Sequence, residues 1–124
     1  MPVKDYYQAI RFINESLPQG SKVLFIGEPR RYYCEKKVLT SSELDTEVIC
    51  RLVKKSKDIN QLIQRLKGLK ITHILYNKHG LIWLNKQFNC LHWENKAQKS
   101  CYEAFICSLF PVYVSDDVYI FQIP

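Results

Sequence analysis

Apolar residues return along this chain in two periods, one helical and one of short unbroken runs. Tyr6, Ile10, Ile13 and Leu17 recur at helical spacing, and Asp5 stands before Gln8 as an N-cap residue does, so a first helix is expected from Asp5. Leu17-Pro18-Gln19-Gly20 ends it with both breaker residues. Lys22-Val23-Leu24-Phe25-Ile26-Gly27 follows as a continuous apolar run, the pattern of a strand covered on both faces. Val38-Leu39-Thr40-Ser41 predicts a second strand. Residues 46–55 read as a helix that turns Val48, Ile49, Leu52 and Val53 inward. Asp58 caps another helix, whose stripe is Ile59, Leu62, Ile63, Leu66 and Leu69, with Gly68 weakening its last turn. Residues 72–77 form a third strand, rich in types that favour sheets. A loop or short helix with Leu81, Trp83, Leu84 and Phe88 comes next. The last long helix spans residues 94–109, with Ala97, Cys101, Ala104, Phe105 and Ser108 on its inner side and Pro111 as its stop. Val112-Tyr113-Val114 and residues 118–121 flank Ser115-Asp116-Asp117 as a terminal hairpin.

Strands alternating with helices place the chain in the α/β class. The expected architecture is a three-layer, Rossmann-like domain with a mostly parallel sheet and an antiparallel C-terminal hairpin. The 124 residues contain no linker, repeat or low-complexity stretch and read as one domain, 1–124. A hydrophobic share of 47% with 24% charged residues excludes wholesale disorder. No apolar run approaches the roughly 18 residues of a membrane span. The opening Met-Pro-Val-Lys-Asp has no apolar core of a secretory signal.

Charge changes the picture, because the net +6 is local. Arg51, Lys54, Lys55, Lys57, Arg65, Lys67 and Lys70 stand against Asp58 alone, and the rest of the chain is neutral. Such a patch attracts nucleic acid, anionic lipid or a phosphorylated ligand, or is the solvated face of two helices. The five cysteines are odd in number and lack a CxxC pair, which points to free thiols rather than a disulfide framework.

In an open parallel sheet, ligands bind beyond the carboxyl ends of the strands. That rule gathers Glu28, Arg30, Arg31 and Tyr32 after the first strand, Glu43 and Asp45 after the second, and Asn77, His79 and Gly80 after the third. The paired arginines suit a phosphate or carboxylate held in bidentate fashion. The alternative is ion pairs and loop caps with packed tyrosines. A single glycine, Gly27, with neither GxGxxG nor a P-loop disfavours a dinucleotide, and no cofactor is expected. Cys90, His92, Cys101 and Cys107 match no common zinc spacing, so no metal is expected either. Arg30-Arg31-Tyr32-Tyr33 permits stacking on single-stranded RNA, but no RNP-like signature accompanies it.

Three stretches carry a family resemblance that spans nearly the whole chain. They are Tyr7-Gln8-Ala9-Ile10-x-Phe12-Ile13-Asn14-x-x-Leu17-Pro18 leading into residues 22–28, residues 66–77, and Val118-Tyr119-Ile120-Phe121-x-Ile123. They resemble the soluble C-terminal domain of multi-pass membrane glycosyltransferases of the C fold class, relatives of the bacterial dolichyl-phosphate-mannose–protein mannosyltransferase group. The resemblance implies that 1–124 is the C-terminal part of a longer membrane protein, held outside the cytoplasmic membrane. It would be non-catalytic by itself, packing on the transmembrane portion of the same polypeptide or positioning acceptor, while the parent uses a polyprenyl-phosphate sugar donor. No catalytic residue carries over. The basic helices would face anionic lipid or a lipid-linked sugar phosphate. At Lys70 the chain departs from the family, which often has glycine before Ile-Thr-His. The alternatives are a free-standing cytoplasmic module binding a phosphorylated small molecule and, with less support, a nucleic-acid-binding module.

Overall fold

The computed structural model describes residues 3–28, 30, 33–40, 47–88 and 91–124. Its elements are α1 (Val3–Ser16), β1 (Lys22–Ile26), β2 (Lys37–Leu39), α2 (Val48–Lys54), α3 (Ile59–Gly68), β3 (His73–Asn77), α4 (Lys78–Phe88), α5 (Lys96–Ser108), β4 (Phe110–Ser115) and β5 (Val118–Gln122). The strands form one sheet in the order β2-β1-β3-β5-β4. β1 runs parallel to β2 and to β3, with Leu24 opposite Ile74. β5 is antiparallel to β3, with Leu75 opposite Ile120, and antiparallel to β4.

The C-terminal hairpin is therefore as expected, but the sheet is evenly mixed rather than mostly parallel. The hairpin inserts its second strand, β5, beside β3, so half of the pairings in the sheet are antiparallel. A Rossmann-type crossover helix is also missing among the described residues between β1 and β2. That connection instead returns along α1: the Asn14 side chain donates to the Tyr33 carbonyl (2.9 Å) and accepts from the Glu35 N–H (2.7 Å), and the Tyr7 and Tyr33 rings meet edge to face.

Alternation along the strands divides the core in two. Val23, Phe25, Leu75, Val118 and Ile120 face Tyr6, Ala9, Ile10, Ile13 and Leu17 around α1. Leu24, Ile26, Ile74 and Phe121 face the other way, against Ile49 and Val53 of α2, Leu62 and Leu66 of α3, Leu81 and Leu84 of α4, and Tyr102 and Phe105 of α5. Among the described residues, helices thus cover both faces of the sheet, one on the first and four on the second.

Several element edges differ from expectation for identifiable reasons. α1 is already helical at Val3, so Asp5 lies inside it and is not its cap. The segment after β3 is a full helix, α4, which starts without a loop because Asn77 caps it. α5 begins at Lys96, where Asn95 accepts the Gln98 N–H (2.9 Å); its buried face is Tyr102 and Phe105, while Ala97, Ala104 and Ser108 are exposed. The Trp93 ring lies tilted against the Tyr102 ring, centroids 5.0 Å apart, and aromatic volume, not a small-residue stripe, fills that side of the helix. Pro111 lies inside β4, at the sheet's edge and next to a register shift, where a missing N–H breaks no ladder bond.

Asp58 caps α3 as expected, accepting the Gln61 N–H at 2.9 Å. The other end of α3 explains the Lys70 departure. The Ile71 N–H reaches the Leu66 carbonyl (3.0 Å) and the Lys70 N–H reaches the Lys67 carbonyl (2.9 Å), the paired bonds of a Schellman cap. That cap needs a left-handed residue, and Lys70 supplies it at φ 66°. A lysine there carries a Cβ penalty that glycine does not. Lys70→Gly is therefore expected to raise stability by about 1 kcal/mol in urea denaturation, whereas Lys70→Ala leaves it nearly unchanged.

Candidate functional site

The carboxyl ends of β1 and β3 bring Glu28, Arg30 and Asn77 into one polar cluster. Glu28 is only 2% exposed, at the point where β1 leaves the sheet. Its Oε2 accepts from the Arg30 backbone N–H (3.1 Å) and from Arg30 Nε (2.7 Å). Its Oε1 accepts from Arg30 Nη2 (2.9 Å) and from Asn77 Nδ2 (3.1 Å). A carboxylate offers about four acceptor positions, and protein donors occupy that number here. The cluster ties a loop to the sheet, with the carboxylate matched by donors from within the protein.

Each partner is itself held. Asn77 Oδ1 accepts the Gly80 N–H at 2.9 Å, so one side chain joins the end of β1 to the first turn of α4. The two segments approach so closely that a Cβ on Gly27 would meet the Asn77 carbonyl and the Leu81 backbone, and one on Gly80 would meet the Gly27 carbonyl. Gly27 also has φ +77°, which glycine adopts without penalty. The Arg30 guanidinium lies 4.2 Å from the centre of the Tyr6 ring, and the Tyr6 hydroxyl donates to the Arg30 carbonyl at 2.9 Å. Burial, aided by the nearby Glu28 charge, pushes the Tyr6 phenol up to about 12. The Thr40 hydroxyl donates to the Glu28 carbonyl at 2.9 Å, anchoring the end of β2 to the same loop.

Glu47, which the sequence reading passed over, is the second buried carboxyl at this edge. It occupies the N-cap position of α2, yet its side chain does not cap that helix; Oε1 accepts the Gly27 N–H at 3.1 Å. Burial raises its pKa to about 7, and the Gly27 hydrogen bond offsets only part of that. Its sequence signal was weak: a glutamate just before the apolar Val48-Ile49 pair. Tyr6 gave a clearer one, since a hydroxyl on an apolar stripe requires a partner.

The expected site residue His79 is not part of this cluster. His79 is exposed on the first turn of α4, and Arg31, Tyr32, Glu43 and Asp45 lie outside the described residues. Of the basic patch, Arg51, Lys55, Lys57, Arg65, Lys67 and Lys70 are exposed and Lys54 is half-buried. α2 and α3, which carry most of it, cover the same face of the sheet. Among the described residues no three His, Cys, Asp or Glu side chains are placed to hold a metal ion; Cys90 lies outside them. Cys34, Cys50, Cys101 and Cys107 are free thiols, of which only Cys50 is fully buried. Among the described residues no helix is long and apolar enough to cross a membrane.

This architecture is similar to that of the C-terminal globular domain of the oligosaccharyltransferase of Archaeoglobus fulgidus. The superposition has a TM-score of 0.63 and covers 100% of this chain and 99% of that domain, at 12% sequence identity. The likeness is one of fold. No protein-family model matches the chain, and no curated protein does.

Two predictions follow from the buried carboxyls. Arg30→Ala strips Glu28 of its main partner and is expected to cost about 3 kcal/mol in urea denaturation, with Glu28→Gln in the same chain recovering part of the loss. Glu47 holds its proton in the folded state up to about pH 7, whereas an ordinary glutamate releases it near 4.5. Stability from this group is thus complete below the lower value and is lost as pH rises through the upper one. Glu47→Gln should abolish that slope and exceed the parent's stability at pH 8 by on the order of 2–3 kcal/mol, read from denaturation curves across the pH range.

Proposed function

We propose that this chain is a non-catalytic domain of a membrane glycosyltransferase that uses a polyprenyl-phosphate-linked sugar. The observation that carries this reading is the end-to-end agreement of fold with the C-terminal globular domain of an oligosaccharyltransferase, in which almost no part of either chain is left over. The sequence resemblance to extramembrane domains of C-class glycosyltransferases supports it independently. The chemistry of the carboxyl edge is compatible: Glu28, the natural candidate for an acid or base, has its acceptor positions filled from within the protein.

On this reading the domain stands on the extracytoplasmic face, attached to the transmembrane portion of its own polypeptide. It packs on that portion or positions acceptor for it. The exposed cations of α2 and α3 lie toward anionic lipid head groups, where each basic residue contributes on the order of 1 kcal/mol.

An antibody raised against the domain, used on native cells split into membrane and soluble fractions, tests the assignment. The expected result is a band in the membrane pellet far larger than 14.7 kDa. A soluble band at 14.7 kDa would overturn it and favour a free-standing ligand-binding module.

A further inference from the structure

The opposite edge of the sheet, at the amino ends of β1 and β3, holds a cleft of about 360 Å³. Ile71 and Ile123, both buried, form its apolar floor, and Gln19, Lys67, His73 and Gln122 bring donors to its rim. No aspartate or glutamate lines it, and the one carboxylate among its lining residues is the terminal one of Pro124 in the 124-residue chain. His73 is 6% exposed, and its Nδ1 lies 2.8 Å from the Thr72 hydroxyl oxygen. That oxygen in turn accepts the Lys22 N–H at 3.1 Å, and the Thr72 N–H donates to the Lys22 carbonyl at 2.9 Å. The imidazole is thereby fixed against β1 through one nitrogen, which leaves Nε2 for a ligand.

The surroundings are cationic as well. Lys22 Nζ sits on the Leu69 carbonyl at 2.9 Å, next to Lys70, and Lys22 and Lys37 are register partners at the starts of adjacent strands.

We propose that this cleft binds the phosphate group of a ligand, held by the Lys67 ammonium and the His73 imidazole with the two glutamine amides beside them. A lysine ammonium is a point-charge partner suited to phosphate, and four donors around an apolar floor match a group with several acceptor oxygens. Burial lowers the pKa of His73, so an anion in the cleft is what would draw the proton onto the ring. This inference stands apart from the membrane assignment, and a protein found in the soluble fraction would leave it intact.

The test follows the ring C–H resonances of the three histidines by NMR through a pH titration of the 124-residue chain. It is run with inorganic phosphate, and separately with phosphatidylcholine vesicles containing phosphatidic acid, at constant ionic strength. The His73 midpoint should rise by about one pH unit while His79 and His92 stay in place. Lys67 is exposed, so Lys67→Ala keeps the fold and should weaken phosphate affinity about tenfold. A response to inorganic phosphate assigns a free phosphate ligand, and a response to the vesicles alone assigns a lipid head group. No movement in either, equal movement of all three rings, or indifference to Lys67→Ala would overturn the proposal.

Discussion

A carboxylate removed from water must find donors for each of its acceptor positions or lose several kcal/mol, and Glu28 meets that demand at the carboxyl end of β1. Its donors are Arg30, two residues on, and an asparagine from the neighbouring strand. Because Asn77 also caps α4, and because the Arg30 guanidinium lies on Tyr6, this single buried charge connects β1, β3, α1 and α4. Gly27 and Gly80 are glycines for the same reason: the backbones of the β1 loop and the first turn of α4 approach too closely for a side chain at either position.

The loop that Glu28 anchors occupies the place of a crossover helix. A parallel β1–β2 pair needs its chain returned to the starting edge. Here residues 33–35 of the return are fastened to α1 by Asn14, with Tyr7 and Tyr33 in ring contact. The first sheet face therefore needs only α1 to cover it, and four helices are concentrated on the second. The antiparallel β5–β4 hairpin completes the sheet beyond β3, with Pro111 and a register shift on the exposed edge strand, where they interrupt pairing with another chain.

The two ends of the sheet consequently differ in chemistry. At the carboxyl end, acid, guanidinium and amide groups are matched to one another, and Glu47 adds a buried carboxyl whose charge the fold resists. At the amino end the polar groups lie around an open cleft, lysines gather near the end of α3, and acidic side chains are absent from the lining. The whole arrangement agrees in fold with the C-terminal globular domain of an oligosaccharyltransferase.

Periodicity alone was enough to locate the apolar stripe of α1, the buried run of β1, the capped α3 and the terminal hairpin, because each is set by neighbours within a few residues. The family resemblance, with glycine in place of Lys70, marked that position as unusual, since the backbone conformation of a helix end is a local property that a sequence pattern records. Partners distant in the chain were not legible. Nothing in the sequence near Asn77 shows that its amide will be spent on Glu28, 49 positions away, or that Gly80 will lie under Gly27. The inner face of α5 was misread for a similar reason: whether Tyr102 or Ala104 turns inward depends on the space left by α2, α3 and the sheet. The sequence by itself determined the α/β class and most of the elements, through hydrophobic period and caps. Tertiary structure alone decided the strand order, the insertion of β5 beside β3 and the division of polar groups between a sealed edge and an open one, because burial and hydrogen-bond partnership belong to the packed chain and not to any segment of it.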